Sequence, residues 1–156
     1  MPELTPSQAE IPTLLRLARG GYGNTIGSCL TRAGFDDLPR NGPFLLSRLA
    51  AGAGSVAGLI RGLGVSRQAA SQLVDTMVLR GYLIRAASAG DRRRITIELT
   101  DRGRAAATEI AAATRQVDDE LAQLLSPGEL AGLRAGLLAL GKIRERTEHD
   151  RQTGDL

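Results

Sequence analysis

Residues 59 to 77 read LIRGLGVSRQAASQLVDTM, two amphipathic helical patterns that meet at Gly64-Val65. Upstream of the junction, Ser55 can cap a helix whose Val56, Leu59, Ile60 and Leu63 fall at i, i+3, i+4 and i+7. That spacing places apolar side chains on one helical face. Gly64 closes this helix, and Ser66 can cap a second one carrying Ala70, Leu73, Val74 and Met77 at the same spacing. Gly81 stops it. Two amphipathic helices joined by a tight turn have the layout of a DNA-binding helix-turn-helix.

The second helix has a polar face as well. At ~100° per residue, Arg67, Gln68, Ser71, Gln72 and Asp75 lie within roughly 140° of one another. Arg67, Gln68, Ser71 and Gln72, with the capping Ser66, can reach base edges and phosphates in a major groove about 12 Å wide. Any surface helix has a polar face, so the neighbouring sequence has to separate a reading face from a solvated one.

Downstream, Tyr82 to Ala87 and Ile95 to Leu99 are strand candidates joined by SAGDRRR. Ile95, Ile97 and Leu99 alternate with polar residues, as in a half-buried strand. The hairpin therefore carries Arg92, Arg93 and Arg94 at its tip, directly after Asp91. A cationic loop beside a helix-turn-helix can reach a minor groove, whose negative potential attracts arginine. The charge is regional. From Arg61 to Arg104 there are nine arginines and four acids, whereas from Ala105 onward six basic residues face nine acidic ones. Lys142 is the sole lysine, and arginine's planar fork suits phosphate and guanine.

Both ends of the chain read as helix. Thr5-Pro6-Ser7-Gln8 has the form of a capping box with proline at the first helical position. Behind it, Ile11, Leu15, Ala18, Tyr22, Ile26, Cys29 and Ala33 form one apolar stripe. Gly20, Gly21, Gly23 and Gly27 each weaken that helix by up to ~1 kcal/mol relative to alanine. Gly34 to Gly42 is a loop by composition, and a short helix follows around Phe44 to Leu49. Thr100 caps a long helix with Ile110, Val117, Leu121 and Leu124 on one stripe. Ser126-Pro127-Gly128-Glu129 is a second capping box, opening a helix with Leu130, Leu133, Leu137 and Leu140 on its apolar side. The charged tail after Arg144 is expected to fray. These outer stripes exceed what a small central module can cover, which calls for a partner chain.

Other classes find little support. With 3% aromatic residues, the core must be built from Leu, Ile, Val and Ala. No apolar run reaches the ~18 residues of a membrane span, the start lacks a signal peptide, and one cysteine makes no internal disulfide; a cytoplasmic protein is expected. Cys29 could serve a peroxide-sensing regulator, but its place on the apolar stripe suits a buried, inert thiol. His149 has no companion ligands for zinc, and Asp118-Asp119-Glu120 reads as a solvated face. The glycines match neither a dinucleotide fingerprint nor a P-loop, so no enzyme, cofactor or metal is expected. A winged-helix module that binds protein instead of DNA is the rival reading, and the basic wing counts against it.

Ser66 to Val74 (SRQAASQLV), Arg80 to Arg85 (RGYLIR), and Asp91-Arg92-Arg93 through Leu99-Thr100-Asp101-Arg102-Gly103 resemble the MarR family of bacterial transcriptional regulators. With helix order and length included, the resemblance covers nearly the whole chain. It implies a mainly α winged helix-turn-helix fold of about six helices plus a short β-hairpin wing, dimeric, with the first, fifth and sixth helices interlocked between two subunits. It also implies that Arg93 is the wing-tip arginine and that Asp91 braces the loop. Gln72 stands where many members carry arginine, and the glycine-rich first helix is unusual. The expectation is one domain over residues 6–147, with a DNA-binding lobe near 43–99 and dimerisation helices near 6–33 and 101–147. Its expected partners are double-stranded DNA bearing a pseudo-palindromic operator, a second copy of itself and a small-molecule effector.

Overall fold

The structure, a computed structural model, describes residues 9–52, 58, 65–88 and 91–153, with 87–88, 91–95 and 148–153 described by their backbone alone. The chain divides after Val117 into two compact units. Five helices and one hairpin lie among the described residues: α1 (Ile11–Arg32), α2 (Gly42–Ala50), α3 (Arg67–Leu79), β1 (Leu83–Ser88), β2 (Asp91–Leu99), α4 (Asp101–Leu124) and α5 (Pro127–Thr153). The helix expected from Ser55 to Leu63, with its Gly64 stop, falls almost wholly outside the described residues. The fold is mainly α with an antiparallel two-stranded sheet.

In the first unit, Leu30, Leu45, Leu46, Val74, Met77, Tyr82, Leu83, Ala106, Ala107 and Ile110 form one buried cluster. The apolar positions of α3 are among them, so its helical period correctly gave the inward face. Ser66 caps α3, its hydroxyl accepting from the Ala69 amide at 3.2 Å. Gly81 ends it at φ +73°, a left-handed conformation that costs glycine least.

Thr100 joins the hairpin to α4. Its hydroxyl accepts from the Gly103 amide at 3.0 Å and donates to the Gly81 carbonyl at 2.5 Å. A Cβ on Gly103 would stand 2.1 Å from the Tyr82 carbonyl oxygen, so only glycine lets α4 approach the wing root this closely. The L-T-x-x-G pattern therefore has a packing cause.

Several expectations need correction. Helix α1 starts at Ile11, not near residue 6, because Glu10 is extended and Pro12 occupies the first turn; the capping box at Thr5 to Gln8 lies outside the described residues. The expected stripe on α4, by contrast, marks the buried face: Gly103, Ala106, Ala107, Ile110 and Ala113 lie on the same side as Val117, Leu121 and Leu124, and only Leu124 at its end is 80% exposed. Strand β2 begins at Asp91 instead of Ile95. The last helix continues to Thr153, since no Gly or Pro interrupts Lys142 to Thr153.

In the second unit, Ser126 and Glu129 form the expected capping box. The Ser126 amide donates to Glu129 Oε2 at 2.9 Å, and the Glu129 amide donates to Ser126 Oγ at 3.4 Å. The Ser126 hydroxyl, donating to the same carboxylate, holds Glu129 below the usual glutamate range.

Candidate nucleic-acid interface

Helix α3 presents two chemically distinct faces. Ala70, Val74 and Met77 are buried, whereas Ser66, Arg67, Gln68, Ser71, Gln72 and Asp75 are exposed. The exposed set brings one guanidinium, two amides, two hydroxyls and one carboxylate onto a single surface. Asp75 is tied to the wing, its Oδ1 accepting from Arg85 Nη2 at 2.5 Å. Thr76 donates to the Gln72 main-chain carbonyl at 2.7 Å.

The hairpin starts next to the end of α3. Register runs from Leu83↔Leu99 to Ala87↔Ile95 and then jumps to Ser88↔Asp91. Arg92, Arg93 and Arg94 therefore occupy an irregularity in β2, three residues without a partner on β1. Bulges bend a strand and re-aim its side chains, so the arginines belong to a distorted strand end and not to a plain loop. The side chains of Asp91, Arg92, Arg93 and Arg94 lie outside the described residues. The strand is anchored at its other end, where Ile97 and Leu99 pack against the buried cluster.

Behind these elements sits a polar cluster that the sequence did not disclose. Asp37, in the α1–α2 connection, accepts from the Tyr82 hydroxyl and from Arg102 Nη2, the latter at 2.9 Å. Its backbone carbonyl accepts from Arg80. The Arg102 guanidinium stands 4.6 Å from the centre of the Tyr82 ring. The Tyr82 hydroxyl holds the Asp37 carboxyl below its ordinary 3.8, with Arg102 helping, whereas burial pushes the Tyr82 phenol above its ordinary 10.0. Asp37 and Arg102 are 65 positions apart, and no local pattern links them.

Two concavities lie in the same unit. A groove of about 480 Å³ is floored by Leu49, Leu99, Ala107 and Ala111 and flanked by Arg104, Thr108 and Arg115. A smaller one of about 320 Å³ is lined by Cys29, Arg32, Ala33 and Glu109. Cys29 is half-buried there, its sulfur accepting from Arg32 Nη2 at 3.2 Å. Among the described residues no three His, Cys, Asp or Glu side chains could hold a metal ion, and no helix is long and apolar enough to cross a membrane.

Residues 39–94, which contain α2, α3, β1 and the start of β2, match the sequence model of the MarR family. Comparison with curated protein sequences gives no match. Among solved structures, the fold is similar to MepR of S. aureus in its DNA complex, at 18% identity and a TM-score of 0.69, over 86% of this chain and 98% of that one. It is similar to NadR in complex with 4-hydroxyphenylacetate, at 22% identity and a TM-score of 0.67, over 92% and 99% of the two chains. A probable transcriptional regulator from Pseudomonas aeruginosa is 26% identical, with a TM-score of 0.62 over 84% and 96%. The matched segment, 56 of the 156 residues, holds α3, β1 and the start of β2; over it the chain resembles the MarR family, and the similar solved structures share the winged helix-turn-helix fold around it.

Proposed function

We propose that the chain is a cytoplasmic homodimeric repressor that releases or tightens its operator in response to a small molecule. The observation that carries the DNA contact is the exposed polar face of α3 beside a hairpin with three bulged arginines. In this reading Arg67, Gln68, Ser71 and Gln72, with the capping Ser66, enter a major groove. Arg92, Arg93 and Arg94 approach the flanking minor groove and phosphates, with Asp91 bracing them. The reading lobe spans about residues 43–99. Two copies would engage half-sites about 34–36 Å apart, as two-fold symmetric helix-turn-helix dimers do.

Dimerisation is supported by apolar side chains left in water. Ile11, Leu14, Leu15 and Leu17 on α1 are exposed, and so are Leu133, Leu137, Leu138, Leu140 and Ile143 on α5. Large apolar side chains exposed repeatedly along one helix, as on α1 and again on α5, mark an interface. Helix α1, from Ile11 onward, with α4 and α5 would supply it.

For the effector, the groove between Leu49, Leu99, Arg104 and Arg115 is the candidate. An apolar lining beside the Arg115 guanidinium suits a compact organic acid, whereas Arg104 is already paired with Asp101 at 2.6 Å. Such a ligand shifts DNA affinity only by its differential binding to two conformations.

The test combines sedimentation with DNA titration. The full chain at micromolar concentration should sediment as a dimer, and its affinity for duplex DNA should fall linearly on a log–log plot against salt, with a slope of about 0.9 per neutralised phosphate. A well-folded monomer ends the shared-helix reading. Salt-independent or absent DNA binding ends the regulator reading in favour of a protein-interaction module.

A further inference from the structure

The cluster at Asp37 joins four segments far apart in sequence. Asp37 follows α1, Arg80 ends α3, Tyr82 begins the wing, and Arg102 lies in the first turn of α4. Its polar contacts are poorly placed to add stability. The Asp37 and Arg102 side chains are 39% and 43% exposed, and ion pairs so open to water contribute little. The Tyr82 ring is fully buried against Phe35, at 6.2 Å between ring centres, and a phenylalanine would bury the same ring. What the hydroxyl, carboxylate and guanidinium add is direction: three donors converge on one residue and fix where the end of α3 and the wing root sit.

The need for such a fix is local. Helix α3 and the wing are joined through Arg80-Gly81-Tyr82, where Gly81 turns the chain in a left-handed conformation and backbone hydrogen bonds back to α3, such as Tyr82 N–H to the Met77 carbonyl at 2.9 Å, hold the link locally. DNA binding through both elements requires that they arrive together, and a loose joint lowers the effective concentration of the second contact once the first is made. We propose that Asp37, Tyr82 and Arg102 are positioning residues for DNA binding, clamping the end of the reading helix and the root of the wing to the α1–α2 connection so that both elements meet the duplex at one angle. The proposal rests on the reading of α3 and the wing as the two DNA-contacting elements.

The experiment uses the full chain, a duplex that the parent protein selects from random sequence, and a scrambled duplex of the same composition. Tyr82→Phe and Asp37→Ala should each weaken binding to the selected duplex by about tenfold and to the scrambled one by less than about twofold. Both should stay dimeric with parent-like helical content. The double variant should lose no more than the worse single one, because both remove one shared contact. Asp37→Asn, which keeps an acceptor for the Tyr82 hydroxyl, should recover part of the loss, an outcome that a general weakening of the fold does not produce. Should Asp37→Ala fail to fold, Arg102→Lys keeps the charge, removes the planar fork over the ring, and is expected to show the same selective loss. Folded variants that bind both duplexes as the parent does overturn the clamp and leave the DNA reading standing. A parent that selects no duplex overturns the DNA reading, and the clamp with it.

Discussion

Asp75 on α3 and Arg85 on β1 are held together at 2.5 Å, a bridge between the reading helix and the wing. Both side chains are about half exposed, at 55% and 47%, so the pair adds at most a few tenths of a kcal/mol to folding. Its larger effect is on charge. A carboxylate on a face meant for DNA repels phosphate, and pairing with Arg85 cancels both charges. Asp75→Asn should therefore strengthen binding to random duplex and steepen the log–log salt dependence by up to about 0.9, as Arg85 gains a phosphate. Unchanged slope and affinity would mean that neither residue comes near the backbone.

The junction of wing and α4 makes a stability prediction. At Gly103 an added Cβ meets the Tyr82 carbonyl at 2.1 Å, and backbone cannot yield as a side chain does. Gly103→Ala should cost about 1–3 kcal/mol. Thr100→Ala, which removes the cap on the Gly103 amide, should cost about 1 kcal/mol. Chemical denaturation of the dimer at fixed concentration measures both, and a Gly103→Ala variant as stable as the parent contradicts the close approach.

How much of this the sequence carried depends on range. Ser66, Ala70, Val74 and Met77 were legible because capping and the helical period act within a few residues. The Ser126–Glu129 box was legible for the same reason. On α4 the inward face was legible from Ile110, Val117 and Leu121, but not that Ala106, Ala107 and Ala113 would fill it, because large apolar residues weigh most in a periodicity. The start of β2 at Asp91 was hidden because three successive arginines break the alternation that marks a strand. The Asp37 cluster was invisible, since its partners meet only when the chain has folded. The sequence put the reading face in view, but not what orients it.

Protonation offers a further check on that cluster. Asp37 has a lowered pKa, so its contribution is present above the unfolded value near 4 and is lost as pH falls through the folded one. Tyr82 has a raised pKa, so its neutral form persists below about 10 and its contribution is lost as pH rises through the folded value. Between about pH 5 and 9 neither group titrates. The difference in melting temperature between parent and Asp37→Asn should therefore be constant over that window and shrink in stronger acid. A difference that changes between pH 6 and 8 would point to another titrating group.

Base reading should reside in Gln68 and Gln72, exposed on α3 one turn apart. A glutamine amide can bond adenine in two places. Replacing either with alanine should cost roughly 1–3 kcal/mol on the selected duplex and much less on random DNA. Equal losses on both duplexes would assign these amides to phosphate or solvent.

Arg93 carries the prediction for the wing. It sits in the middle of the three residues that β1 leaves unpaired between Ile95 and Asp91, on a strand anchored by Ile97 and Leu99. A bulge held at one end by an apolar anchor can hold a side chain away from the sheet, and its resemblance to the family's wing arginine makes Arg93 the first candidate for the minor groove. Because phosphates and a narrow groove attract arginine whatever the sequence, Arg93→Ala should weaken selected and random duplexes together. The salt slope should become shallower by about 0.9 for each phosphate that the variant no longer neutralises. Sedimentation should be unchanged, since the exposed apolar residues offered for dimerisation lie on α1 and α5 and not on the hairpin. Arg92→Ala and Arg94→Ala provide the comparison: smaller losses there single out Arg93, and equal losses make the whole bulge one diffuse cationic surface. If an Arg93→Ala dimer binds DNA as tightly as the parent at every salt concentration, the wing does not touch DNA.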